Sequence, residues 1–99
     1  MEEPAADLAI ALAVASNFKE MPVDPQAVFL GEIGLAGEVR GCSQIEKRLR
    51  EASRLGFASA LVAQKNAASR EGKNAGLIVA GVDSLRAAVD KALIAPPGG

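Results

Sequence analysis

Ninety-nine residues hold one small domain at most, and a chain of that size buries only about 60–65% of its unfolded surface, so little stability is spare. A formal net charge of −1 excludes strong whole-molecule attraction to nucleic acid or to an anionic membrane, while leaving local patches open. The single cysteine, Cys42, excludes an internal disulfide, and with no histidine a zinc site lacks its usual ligands.

Hydrophobic residues make up 49% of the chain, with three Phe and neither Trp nor Tyr. The core must therefore be built from Ala, Val, Leu and Ile, which favours close helix-on-sheet contacts. At the N-terminus, Leu8 to Ala15 is an unbroken apolar run. It is preceded by Glu2 and Glu3, whereas a signal peptide opens with positive charge. The run also falls short of the roughly 20 residues a bilayer span takes. A soluble, cytoplasmic chain is the expectation, with no membrane partner.

Pro4 suits the first turn of a helix, and strong helix formers then continue from Ala5 to Asn17. Leu8, Ile10, Leu12 and Val14 point in all directions around that helix, which predicts burial on several sides. A chain starting at Met1 provides nothing N-terminal to cover it, so a longer parent protein is expected. Pro22 and Pro25 set a loop over residues 21–26, and Ala27-Val28-Phe29-Leu30, an apolar run bounded by turn signals, predicts a buried strand.

Gly31, Gly34 and Gly37 recur every third residue. A phosphate cradle needs G-x-G-x-x-G or G-x-x-x-x-G-K-[ST] directly before a helix, and neither spacing is present. A tight hairpin or bulge using the positive φ of glycine is the more economical reading. Ser43-Gln44-Ile45-Glu46 has the form of a capping box, which predicts a helix with Ile45, Leu49 and Ala52 facing inward and Gly56 closing its C-terminus. The stretch from Arg40 to Arg54 sets Arg40, Lys47, Arg48, Arg50 and Arg54 against Glu46 and Glu51, a local charge of +3.

Residues 58–63 form a small-residue strand, residues 64–75 an exposed polar connection, and Leu77-Ile78-Val79-Ala80 the last strand, with Gly76 and Gly81 at its borders. Asp83 is the expected cap of a final helix whose Leu85, Ala88, Val89, Ala92 and Leu93 share a face. Pro96-Pro97-Gly98-Gly99 is expected to be a disordered tail beyond a domain over residues 1–95. The order of elements predicts an α/β (α+β) fold, a mixed sheet with helices packed against it.

Several separated segments then resemble, in order, the proteolytic domain of Lon proteases: residues 31–40 (GEIGLAGEVR), Ile45-Glu46-Lys47-Arg48-Leu49, Leu55-Gly56-Phe57, Leu61-Val62 and Lys65-Asn66. Glu3-Pro4-Ala5-Ala6-Asp7-Leu8-Ala9, Gly34-Leu35-Ala36-Gly37-Glu38-Val39-Arg40 and Glu46-Lys47-Arg48 are similar to the C-terminal Lon-like domain of bacterial RadA/Sms-type recombination ATPases instead. The match covers roughly residues 2–94. A family-typical proline is missing at Gly41-Cys42-Ser43. The resemblance implies a Lon-like fold that is N-terminally truncated. It places Ala5 where Lon carries its nucleophilic serine and Glu46 where it carries the activating lysine. Alanine has no attacking hydroxyl and glutamate cannot serve as a neutral amine base, so the dyad is degenerate and no peptidase chemistry is expected.

By the same resemblance the parent is a DNA-dependent ATPase that processes branched DNA as a hexameric ring. ATP, magnesium and zinc belong to its missing N-terminal parts, and no cofactor or metal is expected in this chain. The implied role is a non-catalytic scaffold for self-association and DNA contact, with Arg40, Lys47, Arg48, Arg50 and Arg54 as candidate phosphate contacts. A solvated helix face with i,i+4 pairs such as Glu46 with Arg50 accounts for the same charges. Two other readings stay open: a Lon-type serine peptidase using Ser43 and Lys47, one helical turn apart, and a small-ligand α/β module with residues 31–37 as its mouth.

Overall fold

A computed structural model of the chain describes residues 4–68 and 76–93. A single 3₁₀ turn at Pro4–Ala6 leads into helix α1 (Asp7–Lys19), followed by β1 (Ala27–Leu30), the short pair β2 (Glu32–Ile33) and β3 (Val39–Arg40), then α2 (Ile45–Arg54), β4 (Ser59–Ala63), α3 (Gln64–Ala68), β5 (Ile78–Val82) and α4 (Leu85–Ala92). The fold is α/β. The parallel and antiparallel pairings expected of a mixed sheet are divided between a three-stranded parallel sheet in the order β1-β4-β5 and a separate antiparallel hairpin, β2-β3.

Side chains alternate across the parallel sheet, as period-2 geometry requires. Register places Val28, Ala60 and Val79 in one row and Leu30 and Val62 in the next. These residues pack on the side of α2, with Ile45, Leu49, Ala52 and Leu77. Phe29, Leu61 and Ala80, with Ala63 and Val82, face the opposite layer, where Leu8, Leu12, Ala88 and Ala92 from α1 and α4 close a second cluster. Only the central strand β4 is buried along most of its length; β1, expected to be buried, is half-buried throughout because it lies at the edge of the sheet, and β5 at the other edge is half-buried over most of its length. Leu8, Leu12, Leu49, Leu77 and Val62 are the largest fully buried side chains, each contributing about 1.5–3 kcal/mol.

α1 differs from expectation. Leu8 and Leu12 are fully buried, but Ile10, Val14 and Phe18 are 62%, 65% and 87% exposed, so the helix is covered along one stripe rather than on several sides. It ends at Glu20, which takes a left-handed conformation (φ 55°), and the Ser16 hydroxyl donates to the Met21 carbonyl at 2.6 Å. The glycine-rich segment forms the predicted hairpin. Gly37 N–H donates to the Gly34 carbonyl at 3.0 Å, Gly37 has φ of 84°, and the Glu38 carboxylate folds back over Gly34 to accept the Ala36 N–H.

Three local expectations are corrected. Residues 64–68, expected to be part of an exposed polar connection, form a short helix without buried residues. Their remainder, 69–75, lies outside the described residues, as do the boundary at 95 and the tail at 96–99. Gly81 lies inside β5 rather than at its border, and α3 presses against it. The final helix is capped by Ser84, whose hydroxyl accepts the Ala87 N–H at 3.1 Å. Asp83 instead gives its backbone carbonyl to the Val39 N–H, which ties the hairpin to the start of α4.

Candidate functional site

Helix α2 carries most of the candidate residues because its sequence divides cleanly between two faces. Ile45, Leu49 and Ala52 are buried against the sheet. Lys47, Arg50, Glu51 and Arg54, at spacings of three and four, fall on the exposed side. The predicted capping box does not form. Gln44, with φ of 57°, occupies the cap position and no side chain caps the helix. That left-handed residue turns Ser43 out of register with Glu46, and the Ser43 backbone carbonyl is held by Arg48 Nε at 2.9 Å. Gly56 does follow the helix with a positive φ of 101°, as expected of its closing residue.

The five candidate basic residues are therefore not equivalent. Arg40 lies on β3 and donates through Nε and a terminal nitrogen to the Glu38 carboxylate, at 3.2 and 2.8 Å. Arg54 is tied to Glu51 one turn back, and that bond raises its already high pKa. Arg48, half-buried, turns back to Ser43. Lys47 and Arg50 are exposed, and among the described residues neither forms an ion pair. The pair proposed between Glu46 and Arg50 is accordingly not formed. Glu46 is half-buried, with one carboxylate oxygen shut off from solvent.

Ala5 is 2% exposed, in the 3₁₀ turn at the head of α1, and its carbonyl accepts the Gly31 N–H at 3.0 Å. It belongs to the buried cluster that holds Cys42, Ile45 and Leu49, so it shares a core with the first turn of α2, where Glu46 lies. Its methyl group offers packing and no chemistry. Ser43 and Lys47 are both exposed rather than enclosed in a shared pocket. Of residues 31–37, the suggested ligand mouth, 34–37 are taken up in closing the hairpin turn.

Among the described residues, one cleft opens on the parallel sheet and another lies between β3 and α3. One, of about 330 Å³, is lined by Phe29, Leu61, Ile78 and Ala80, with Asp24 and Lys91. The other, of about 650 Å³, is lined by Arg40, Cys42, Ser43, Lys65 and Asn66 among others. Its wall is braced by the Asn66 carboxamide, which accepts the Cys42 N–H at 3.0 Å and donates to the Cys42 carbonyl at 3.3 Å. Lys65 and Asn66 stand in the sequence as part of a polar connection and as landmarks of resemblance, without a sign of this role, because a contact across 24 residues leaves no local pattern. Among the described residues no cluster of His, Cys, Asp or Glu has the form of a metal site, and no helix is long and apolar enough to cross a membrane.

A family model described as subunit ChlI of Mg-chelatase matches residues 2–66, well over half of the chain. The chain belongs to this ChlI family. It is also 48% identical over 85 residues to the DNA repair protein RadA of Streptococcus pyogenes, covering 86% of this chain and 18% of that protein. RadA of Synechocystis is 53% identical over 62 residues, covering 63% of this chain and 12% of that protein. RadA of Bacillus subtilis is 47% identical over 66 residues, covering 67% and 14%. The chain thus spans less than a fifth of the length of these relatives, and the resemblance to the Lon-like region of RadA-type proteins is borne out.

Proposed function

We propose that this ChlI-family chain is a non-catalytic, Lon-like platform of a RadA-type DNA repair protein, one that contacts DNA through α2 and supports self-association in its parent. The observation that carries the reading is the pair Lys47 and Arg50. They project from a helix anchored by buried Ile45, Leu49 and Ala52, have no ion-pair partner among the described residues, and occur in a chain close in sequence to a section of DNA repair proteins. Clustered cations on one helix face neutralise phosphates and release counterions, which gives affinity that falls steeply with salt. Arg40 and Arg54, each held by a neighbouring carboxylate, and Arg48, turned toward Ser43, are secondary contacts that must first exchange partners.

Ala5 and Glu46 support the non-catalytic half of the reading: a buried methyl and a carboxylate stand at the positions matched to nucleophile and base. Self-association is supported by the apolar stripe of Ile10, Val14 and Phe18, left uncovered on α1.

The test is a DNA-binding titration over a series of salt concentrations, comparing the wild-type chain with Lys47→Glu/Arg50→Glu. Wild-type affinity should fall linearly on a log–log plot, and the variant should bind more weakly with a slope shallower by about 2. Superimposable curves would remove α2 from the account. Incubation with casein and a fluorophosphonate probe should give neither cleavage nor label, and labelling at Ser43 would restore the peptidase reading.

A further inference from the structure

The 650 Å³ cleft between β3 and α3 has an unusual lining for a chain with more acidic than basic residues. Arg40 and Lys65 contribute two cations, Ser43 a hydroxyl and Asn66 a carboxamide, and among the described lining residues there is no carboxylate. Such a lining repels a metal cation and suits an anion with several acceptor oxygens. Lys65 is exposed and forms no ion pair among the described residues.

The wall is preorganised. Both hydrogen bonds of Asn66 to Cys42 lock α3 onto the segment before α2, and Gly41 makes room for that amide, since a Cβ there would lie 3.2 Å from it. Arg40 is the adjustable member. Its partner Glu38 stands at the margin, and with side chains 61% and 41% exposed the pair is weak enough to be exchanged for a stronger acceptor.

We propose that this cleft takes a phosphate group of a nucleic-acid strand, held by Lys65 and Ser43, with Arg40 recruited from Glu38 on binding. The proposal rests on the DNA-contact reading and extends it to residues off α2. A strand fits better than a free anion because the cleft is continuous with the basic helix: Ser43 lines it, and the same residue's carbonyl is held by Arg48 of α2. In this arrangement Glu38 acts as a brake, since its carboxylate occupies the guanidinium that the phosphate needs.

The test uses the full chain and a fluorescein-labelled single-stranded oligonucleotide, read by anisotropy over a salt series, for wild type, Lys65→Gln, Glu38→Gln and Lys47→Glu/Arg50→Glu. Lys65→Gln should weaken binding and lower the salt slope by about 1, and Glu38→Gln should tighten it. Inorganic phosphate at matched ionic strength should leave the Lys65 and Ser43 amide resonances unshifted, while the oligonucleotide shifts them. If Lys65→Gln binds as wild type while the α2 variant is weakened, the cleft proposal is overturned and the α2 reading stands. If Lys65→Gln alone is weakened, the cleft stands and α2 is overturned. Equal shifts with inorganic phosphate would overturn the strand as the ligand, and an unchanged Glu38→Gln would overturn the brake.

Discussion

The side-chain amide of Asn66 pairs with both backbone polar groups of Cys42, as a neighbouring strand would, and so joins α3 to the segment that starts α2. Cys42 is 7% exposed, so its N–H and C=O have little access to water. Asn66→Ala leaves these groups without that amide and should cost about 1–3 kcal/mol. Each kcal/mol lowers Tm by about 4–8 °C in a domain of this size. Asn66→Asp keeps an acceptor for the Cys42 N–H and should lose less. Thermal denaturation followed by circular dichroism checks the order, and a wild-type Tm for Asn66→Ala would show that the clamp does not stabilise the fold.

That clamp also marks where sequence reasoning stops. The strand at 59–63 was legible because burial on both faces writes an apolar run, the half-buried edge strand at 27–30 because its apolar residues lie between turn signals, and the hairpin because Gly34 and Gly37 flank a turn that needs positive φ. Ile45, Leu49 and Ala52 announced the inward face of α2 by their spacing. The capping box misled because its residue types fit, while the left-handed Gln44 that displaces it has no compositional mark. Among the five basic candidates, nothing in residue type or spacing separates Lys47 and Arg50 from the three whose guanidinium groups are engaged, since Arg40 reaches Glu38 and Arg48 reaches Ser43 through geometry formed only on folding.

Gly81 is glycine because α3 lies on it. A Cβ there would stand 2.9 Å from Gln64 Cα and 3.0 Å from Ala67 Cβ, and a backbone atom cannot swing aside. Gly81→Ala should destabilise by about 1–3 kcal/mol through overpacking. Gly56→Ala offers the contrast, since nothing lies within 4 Å of its would-be Cβ and only its φ of 101° resists substitution. Urea midpoints measure both. A neutral Gly81→Ala would mean that α3 packs more loosely than its position over β5 implies.

Glu20 is a site for gain. It closes α1 at φ 55° and ψ 38°, where a side chain costs about 1–2 kcal/mol, and its carboxylate sits at the negative end of the helix dipole. Glu20→Gly removes both penalties against an entropic cost of about 0.5–1 kcal/mol in the unfolded chain. The side chain is exposed, so no packing is lost. Tm should rise by a few degrees, at about 4–8 °C per kcal/mol. A lower Tm would show that Glu20 makes a contribution its exposure conceals.

Glu38 and Glu51 contribute to the acid limb of the stability profile. The Glu38 carboxyl is held below its ordinary pKa by its own backbone N–H first, then by the Arg40 guanidinium and the Ala36 N–H, while Glu51 is lowered chiefly by its hydrogen bond to Arg54. A carboxyl whose folded pKa lies below its unfolded value binds fewer protons when folded, so the stability it adds is present above the unfolded value of 4.5 and is lost as pH falls through the folded value. Both groups face solvent, so the effect is small and weakens with salt. The urea midpoint of the wild type should therefore drop more between about pH 7 and about pH 3 than that of Glu38→Gln/Glu51→Gln, with the gap closing near 1 M salt. Equal drops at low salt would mean that neither pair survives in solution, and Arg40 would then be free to bind phosphate without displacing Glu38.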